Sequence, residues 1–167
     1  MTFPEPTQPI ASLTEVFLTY LDYFRARVVD KLTSLPAAEL RTSRLASNWT
    51  PIELVNHLRH VERRWLEWGF EGADVDDPWA DRRDDRWYVD PRTSLAELLD
   101  GLDDQAARTR AIVRAHALSD IGAPSERWDG APPPSLERIL FHLLQEYARH
   151  LGHLDIVSEL AGGTTGQ

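Results

Sequence analysis

Apolar residues recur along most of this chain at the three- and four-residue spacing of a helix. The first run is Leu13, Val16, Phe17, Tyr20, Leu21, Phe24, Val28 and Leu32. Ser12 precedes it with Glu15 three residues on, an N-capping pair, and Pro36 ends it. Thr50-Pro51-Ile52-Glu53 repeats this grammar and opens a second helix with Leu54, His57, Leu58, Val61, Trp65 and Trp68 on one stripe, stopping near Gly69. Ser94 with Glu97 opens a third, whose Leu95, Leu98, Leu99, Leu102, Ala106, Ile112 and Val113 keep the period as far as His116. Pro132-Pro133-Pro134 and Ser135 open a fourth, which runs to the glycine pair Gly162-Gly163. Four long amphipathic helices without a strand pattern predict an all-α protein, a four-helix bundle. Residues 1–11 read as an irregular lead-in, 12–163 as one bundle domain and 164–167 as a tail.

The joins are unequal. Gly69–Thr93 separates the second and third helices by far more than the roughly 2–8 residues usual in bundles, which permits a long crossover there. This segment is rich in Asp, Arg and Trp, with Trp79, Trp87 and Tyr88 among the charges. It reads either as a solvated loop pinned by aromatics or as a lid over a site.

Composition narrows the chemistry. The 167 residues carry 18 Lys plus Arg against 27 Asp plus Glu, a net charge of -9 that repels phosphate backbones. The densest basic pairs, Arg63-Arg64 and Arg82-Arg83, are flanked by acids, so no nucleic-acid partner is expected. No basic N-terminal segment leads into an apolar run, and no stretch of about 18 apolar residues occurs, so a cytoplasmic protein without a membrane partner is expected. Cysteine is absent. That excludes disulfides, thiolate metal sites and a cysteine nucleophile, and leaves His, Asp and Glu to hold any metal.

The phases of the histidines select candidates. His57 shares a row with Leu54, Leu58, Val61 and Trp65 and is expected to be buried in the bundle; His60 shares a face with Asn56, Arg63, Arg64 and Glu67 and is expected in solvent. On the fourth helix Glu146 and His150 lie one turn apart in the row of Ile139, Leu143 and Val157. A carboxylate on an apolar face needs a partner, because burying it uncompensated costs several kcal/mol. Two readings follow. Glu146 and His150 form a buried hydrogen-bonded pair with His57 a satisfied core histidine, or His57, Glu146 and His150 hold a divalent ion with positions left open for chemistry. His153 lies one turn further on; as a fourth ligand it would close a tetrahedral ion, so it is assigned outside the ligand set as a catalytic group that carries a proton or orients its neighbours. His142 competes as a ligand, although its row turns toward the polar face. Asp155 is out of phase and expected at a surface or interface, His116 at the end of the third helix as a cap of its dipole. Arg149 is a surface charge or a contact for a bound small molecule.

The stretches Leu54-Val55-Asn56-His57-Leu58-Arg59-His60-Val61-Glu62-Arg63-Arg64-Trp65 and Glu146-Tyr147-Ala148-Arg149-His150-Leu151-Gly152-His153-Leu154-Asp155-Ile156 resemble the two signature helices of the DinB-like superfamily. The nearest branch is the actinobacterial group related to mycothiol-dependent maleylpyruvate isomerase. The resemblance implies a four-helix bundle with its crossover after the second helix, and a divalent metal held by one residue of the second helix and two of the fourth. Many relatives carry His-x-x-x-His on the last helix; this chain has Glu146-x-x-x-His150, similar to the His, Glu, His set of the isomerase branch. His57, Glu146 and His150 are therefore the implied ligands, with zinc the first expectation and nickel or iron the alternatives. The position of His153 often holds Gln or His in relatives, and Ser158 stands where this branch often has Arg.

The implied activity is that of a metal-dependent transferase or isomerase using mycothiol or a similar low-molecular-weight thiol on a small electrophile. Arg149, from its position beside the pair, is the candidate cosubstrate contact, and a homodimer the candidate assembly. A bound cation deprotonates a coordinating thiol, which suits a chain with no cysteine of its own. The alternatives are a metal-dependent hydrolase and a non-catalytic helical stress-response or binding module.

Overall fold

A computed structural model describes residues 2–162. It contains the four expected helices: α1 (Leu13–Ser34), α2 (Pro51–Arg63), α3 (Leu95–Ala115) and α4 (Leu136–Leu160). The polar residues read as start signals cap the first three, whereas Ser135 at the start of α4 makes no side-chain cap hydrogen bond. The Ser12 hydroxyl accepts from the Glu15 backbone N–H at 3.2 Å, and the Thr50 and Ser94 N–H groups donate to the Glu53 and Glu97 carboxylates at 2.8 and 2.7 Å. Beyond α4, Gly162 takes the left-handed conformation (φ 80°) that favours glycine; Gly163 and the expected 164–167 tail lie outside the described residues.

Helix directions follow from which side chains meet. α1 and α4 run parallel: Phe17 and Ile139 line one cavity at their starts, and Lys31 pairs with Asp155 at 2.7 Å near their ends. α1 and α3 are antiparallel, with Glu15 facing Arg114 and Asp22 accepting from Arg110 at 2.8 Å. α2 and α4 are also antiparallel, with the His57 ring 5.2 Å from that of His150 and Trp65 4.4 Å from His142. α2 and α3 therefore point the same way, and the chain between them must return along the bundle before α3 can begin. This is the long crossover read from the sequence.

Two features of that join were not anticipated. α2 continues as a looser π-helical turn, Arg64–Phe70, in which Gly69 lies so close to Trp128 that a Cβ would stand 2.9 Å from the indole. The crossover itself folds into a two-stranded ribbon, β1 (Arg82–Arg83) and β2 (Arg86–Trp87), turning through Asp84 and Asp85 with φ of 51° and 58°. Strands of two residues are too short to show an alternating pattern.

The crossover also overturns the expectation for His60. His60 is only 5% exposed, and its neighbours Asn56 and Arg64 are buried with it. The cause is the covering segment: Asn56 Nδ2 donates to the Tyr88 carbonyl at 2.8 Å and Arg64 Nη1 to the Pro78 carbonyl at 3.0 Å. A face that is polar in sequence is here a buried polar interface, and Arg63 and Glu67 at its margin are half-buried. Asp155 is likewise half-buried, engaged by Lys31. His116 stands at the C-cap of α3, as its position suggested, with its ring against Phe70 and Nδ1 3.5 Å from Asp120.

Within the leucine-rich core lies one fully buried carboxylate, Glu62 of α2. It accepts from Arg25 of α1 at 2.8 and 2.7 Å, from the Thr109 hydroxyl of α3 at 2.5 Å, and from the Tyr147 hydroxyl of α4. Arg25 also donates to Asp22 at 2.6 Å. Burial pushes the Glu62 carboxyl up, but Arg25 and these hydrogen bonds outweigh it and hold it below the usual carboxylate range. Its ionised form thus stabilises the fold above the unfolded carboxyl pKa, and that contribution is lost as pH falls through the folded value. Glu62→Gln leaves the Arg25 charge buried without its main partner and is expected to cost about 3–5 kcal/mol in urea unfolding at pH 7. The gap between wild type and variant should be full above about pH 4.3 and narrow on acidification. A loss below about 1 kcal/mol would show that the pair is not essential to the core.

Candidate metal centre

His57 reaches its position because the first turns of α2 put it on the stripe that faces α4. Across that interface α4 presents Glu146 and His150 one turn apart. One ligand-type atom of each residue lies within 4.8 Å of the others, the single such group of three among the described residues. His150 Nε2 is 3.1 Å and His57 Nε2 3.9 Å from Glu146 Oε2. His150 is buried, whereas His57, expected to be buried, keeps 14% of its side chain exposed because it stands at the mouth of the cluster. Hydrogen bonding from His150 holds the Glu146 carboxyl well below the usual range, so it is ionised at neutral pH. Burial pushes the His150 imidazole down. The strongest cation near Glu146 is the exposed Arg149, with Nη1 4.0 Å from Oε1. An ionised carboxylate faced mainly by imidazoles, with two nitrogens and an oxygen converging, is a donor set that fits a borderline divalent ion.

The other candidates fall around this cluster. His153 is not in it: its Nδ1 meets His150 Nδ1 at 3.3 Å, the nitrogen remote from Glu146, and its ring lies 5.9 Å from that of Trp49. His142 approaches Glu146 Oε1 at 3.9 Å, with its ring against Trp65. On that side opens a cavity of about 840 Å³ whose walls include Phe17, Trp65, Trp128, Phe141 and His142. Its wall residue His142 is the one that also approaches Glu146 of the cluster.

Three residues of the site were not identified from the sequence, and all depend on the crossover. Asp81 Oδ2 lies 2.9 Å from His57 Nδ1; Arg64 pairs with the same carboxylate, Nη2 to Oδ2 at 3.1 Å. Trp87 stacks on His57, centroids 4.3 Å apart and planes 19° from parallel, and meets Trp49 at 6.0 Å. Trp87 covers one face of His57, and Trp49 lies between Trp87 and His153. Asp81 stands among six other aspartates between residues 74 and 90, and nothing local to the sequence distinguishes it.

No helix of the described chain is long and apolar enough to cross a membrane. No curated protein matches the chain. Among solved structures, YfiT from Bacillus subtilis, described as a probable metal-dependent hydrolase with an unusual four-helix bundle topology, is similar with a TM-score of 0.65. The two share 18% identity over 97% of this chain and 95% of that one, so the likeness speaks for the fold alone. A family model for mycothiol S-transferases matches residues 16–163, which takes in all but the first residues of α1, the other three helices, the crossover and the cluster. The chain therefore belongs to the mycothiol S-transferase family.

Proposed function

We propose that the protein transfers a low-molecular-weight thiol of the mycothiol type to a small electrophile, with His57, Glu146 and His150 holding a divalent ion. Zinc is the first choice for two imidazoles and a carboxylate, and nickel or iron are the alternatives. The observation that carries the reading is the convergence of these three side chains in a chain that has no cysteine. With no thiol of its own, the protein must take the attacking sulfur from a cosubstrate. When bound, the ion supplies Lewis acidity that favours the deprotonated form of a coordinating thiol.

The chain's own residues supply the rest. Three protein ligands leave room for an exogenous one, which a fourth histidine would fill. His153 is assigned outside the ligand set, where it orients His150 through Nδ1 and takes up the proton the thiol gives up. The cavity lined by Trp65, Trp128 and Phe141 is assigned to the electrophile, and Trp49 with Trp87 to the exclusion of water from the sulfur. Arg149, exposed at the edge of the cluster, is placed to contact a polar group of the cosubstrate.

About one divalent ion per chain is expected by elemental analysis of protein purified without a histidine tag or chelator. His57→Ala and His150→Ala should lose it, and chelation should lower the melting temperature of the wild type. His116→Ala, which lies outside the cluster, should retain it. Stoichiometric metal in both ligand variants would contradict the assignment.

Adding mycothiol or a simpler thiol to cobalt-loaded protein should raise a sulfur-to-metal charge-transfer band, and conjugation of a generic electrophile should rise with it. A silent spectrum together with turnover of ester or amide substrates would replace the transferase reading with hydrolysis. His153→Gln should keep the ion and lower turnover, since an amide hydrogen-bonds without exchanging a proton near neutral pH. Loss of the ion in that variant would make His153 a ligand.

A further inference from the structure

Asp81 is the one aspartate of the crossover that the fold removes from water. Asp74, Asp76, Asp77, Asp84 and Asp85 are exposed, whereas Asp81 is 0% exposed. A carboxylate in that position is costly unless its lone pairs are used. Arg64 uses part of them through both terminal nitrogens, and is itself fixed by the Pro78 carbonyl at 3.0 Å and by Trp79, over whose ring its guanidinium stands at 4.4 Å. The remaining contact goes to His57 Nδ1, at 2.9 Å.

The protonation pattern follows from this pairing. An ionised carboxylate only accepts hydrogen bonds, so His57 Nδ1 must donate and therefore carries the ring hydrogen. The neutral imidazole then has its lone pair on Nε2, the nitrogen turned toward Glu146 and His150. Trp87, from the same ribbon, lies flat against the ring and limits its rotation. One short segment thus constrains both the tautomer and the plane of His57.

We propose that Asp81 is a positioning residue of the metal centre, holding His57 with Nε2 free to donate to the ion, while Arg64 anchors Asp81 and Trp87 stops the ring. This rests on the metal reading given above. The crossover is then part of the centre's architecture and not only its cover. Carboxylate partners of this kind orient metal-binding histidines and raise their basicity, and their removal weakens metal binding about 10–100-fold. A carboxylate that merely tied the crossover to Arg64 would leave the His57 tautomer unconstrained.

The test reads the tautomer and the affinity separately. Long-range nitrogen–proton NMR on metal-free, histidine-labelled wild type at pH 8 should show His57 protonated at Nδ1 and bare at Nε2. Asp81→Asn, whose amide can donate as well as accept, should admit the opposite tautomer. In competition with a chromophoric chelator, this variant should bind zinc about 10–100-fold more weakly than wild type. Wild-type His57 protonated at Nε2 would overturn the proposal without recourse to any variant, so a failure of Asp81→Asn to fold leaves it testable. Wild-type zinc affinity in folded Asp81→Asn would overturn it equally. If wild type itself binds no zinc, the metal reading fails and the role of Asp81 with it, an outcome distinct from a bound ion that is indifferent to Asp81.

Discussion

Glu62, on α2, receives hydrogen bonds from each of the other three helices: Arg25 from α1, Thr109 from α3 and Tyr147 from α4. Apolar packing alone lets helices slide by a turn at modest cost, whereas a buried charge with directional partners has one satisfied arrangement. Glu62 lies five residues after His57, and Tyr147 is the residue after Glu146. The contact between Glu62 and Tyr147 therefore sets the register of α2 against α4, and that register brings His57 opposite Glu146 and His150. A slip by one turn would separate the cluster by about 5.4 Å.

The bundle contains two inward glutamates with different solutions. Glu62 has a guanidinium in bidentate contact and no exposure, so its charge is neutralised inside the core. Glu146 has imidazoles from His57 and His150, and the exposed Arg149 only at its edge. An imidazole pairs with a carboxylate without bringing a permanent charge, so Glu146 retains negative charge available to something else. This difference separates a structural charge from a candidate site, and residue type or burial alone would not reveal it. The polar interface under the crossover follows the same logic: Arg64 neutralises Asp81, so His57 gains a hydrogen-bond acceptor without an added net charge beside it.

The four helices were legible because each carries an apolar stripe longer than three turns, three start at a capping pair and the fourth follows a run of prolines, and these signals are local. His57, Glu146 and His150 were legible for a related reason, since polar residues interrupt apolar rows at a fixed phase. His60 and Arg64 were not, because what buries them is the crossover, a segment with no periodicity of its own, and Asp81 lies within that segment. The phase of His60 correctly assigned it to a polar face but could not reveal that the face is covered. Glu62 escaped notice for the same reason, as its partners are spread over three other helices. Helix content and the inward-pointing His57, Glu146 and His150 were thus readable from local pattern, while the crossover residues that contact them required tertiary structure.

X-ray absorption at the zinc edge, on zinc-loaded protein before and after addition of thiol, addresses the central claim most directly. Before addition the spectrum should show nitrogen and oxygen scatterers only, at about 2.0–2.2 Å, with the multiple scattering of two imidazoles. After addition one sulfur should enter at about 2.3 Å, and with no cysteine in the chain it can come only from the cosubstrate. A shell unchanged by thiol, or one lacking the signature of two imidazoles, would contradict the account.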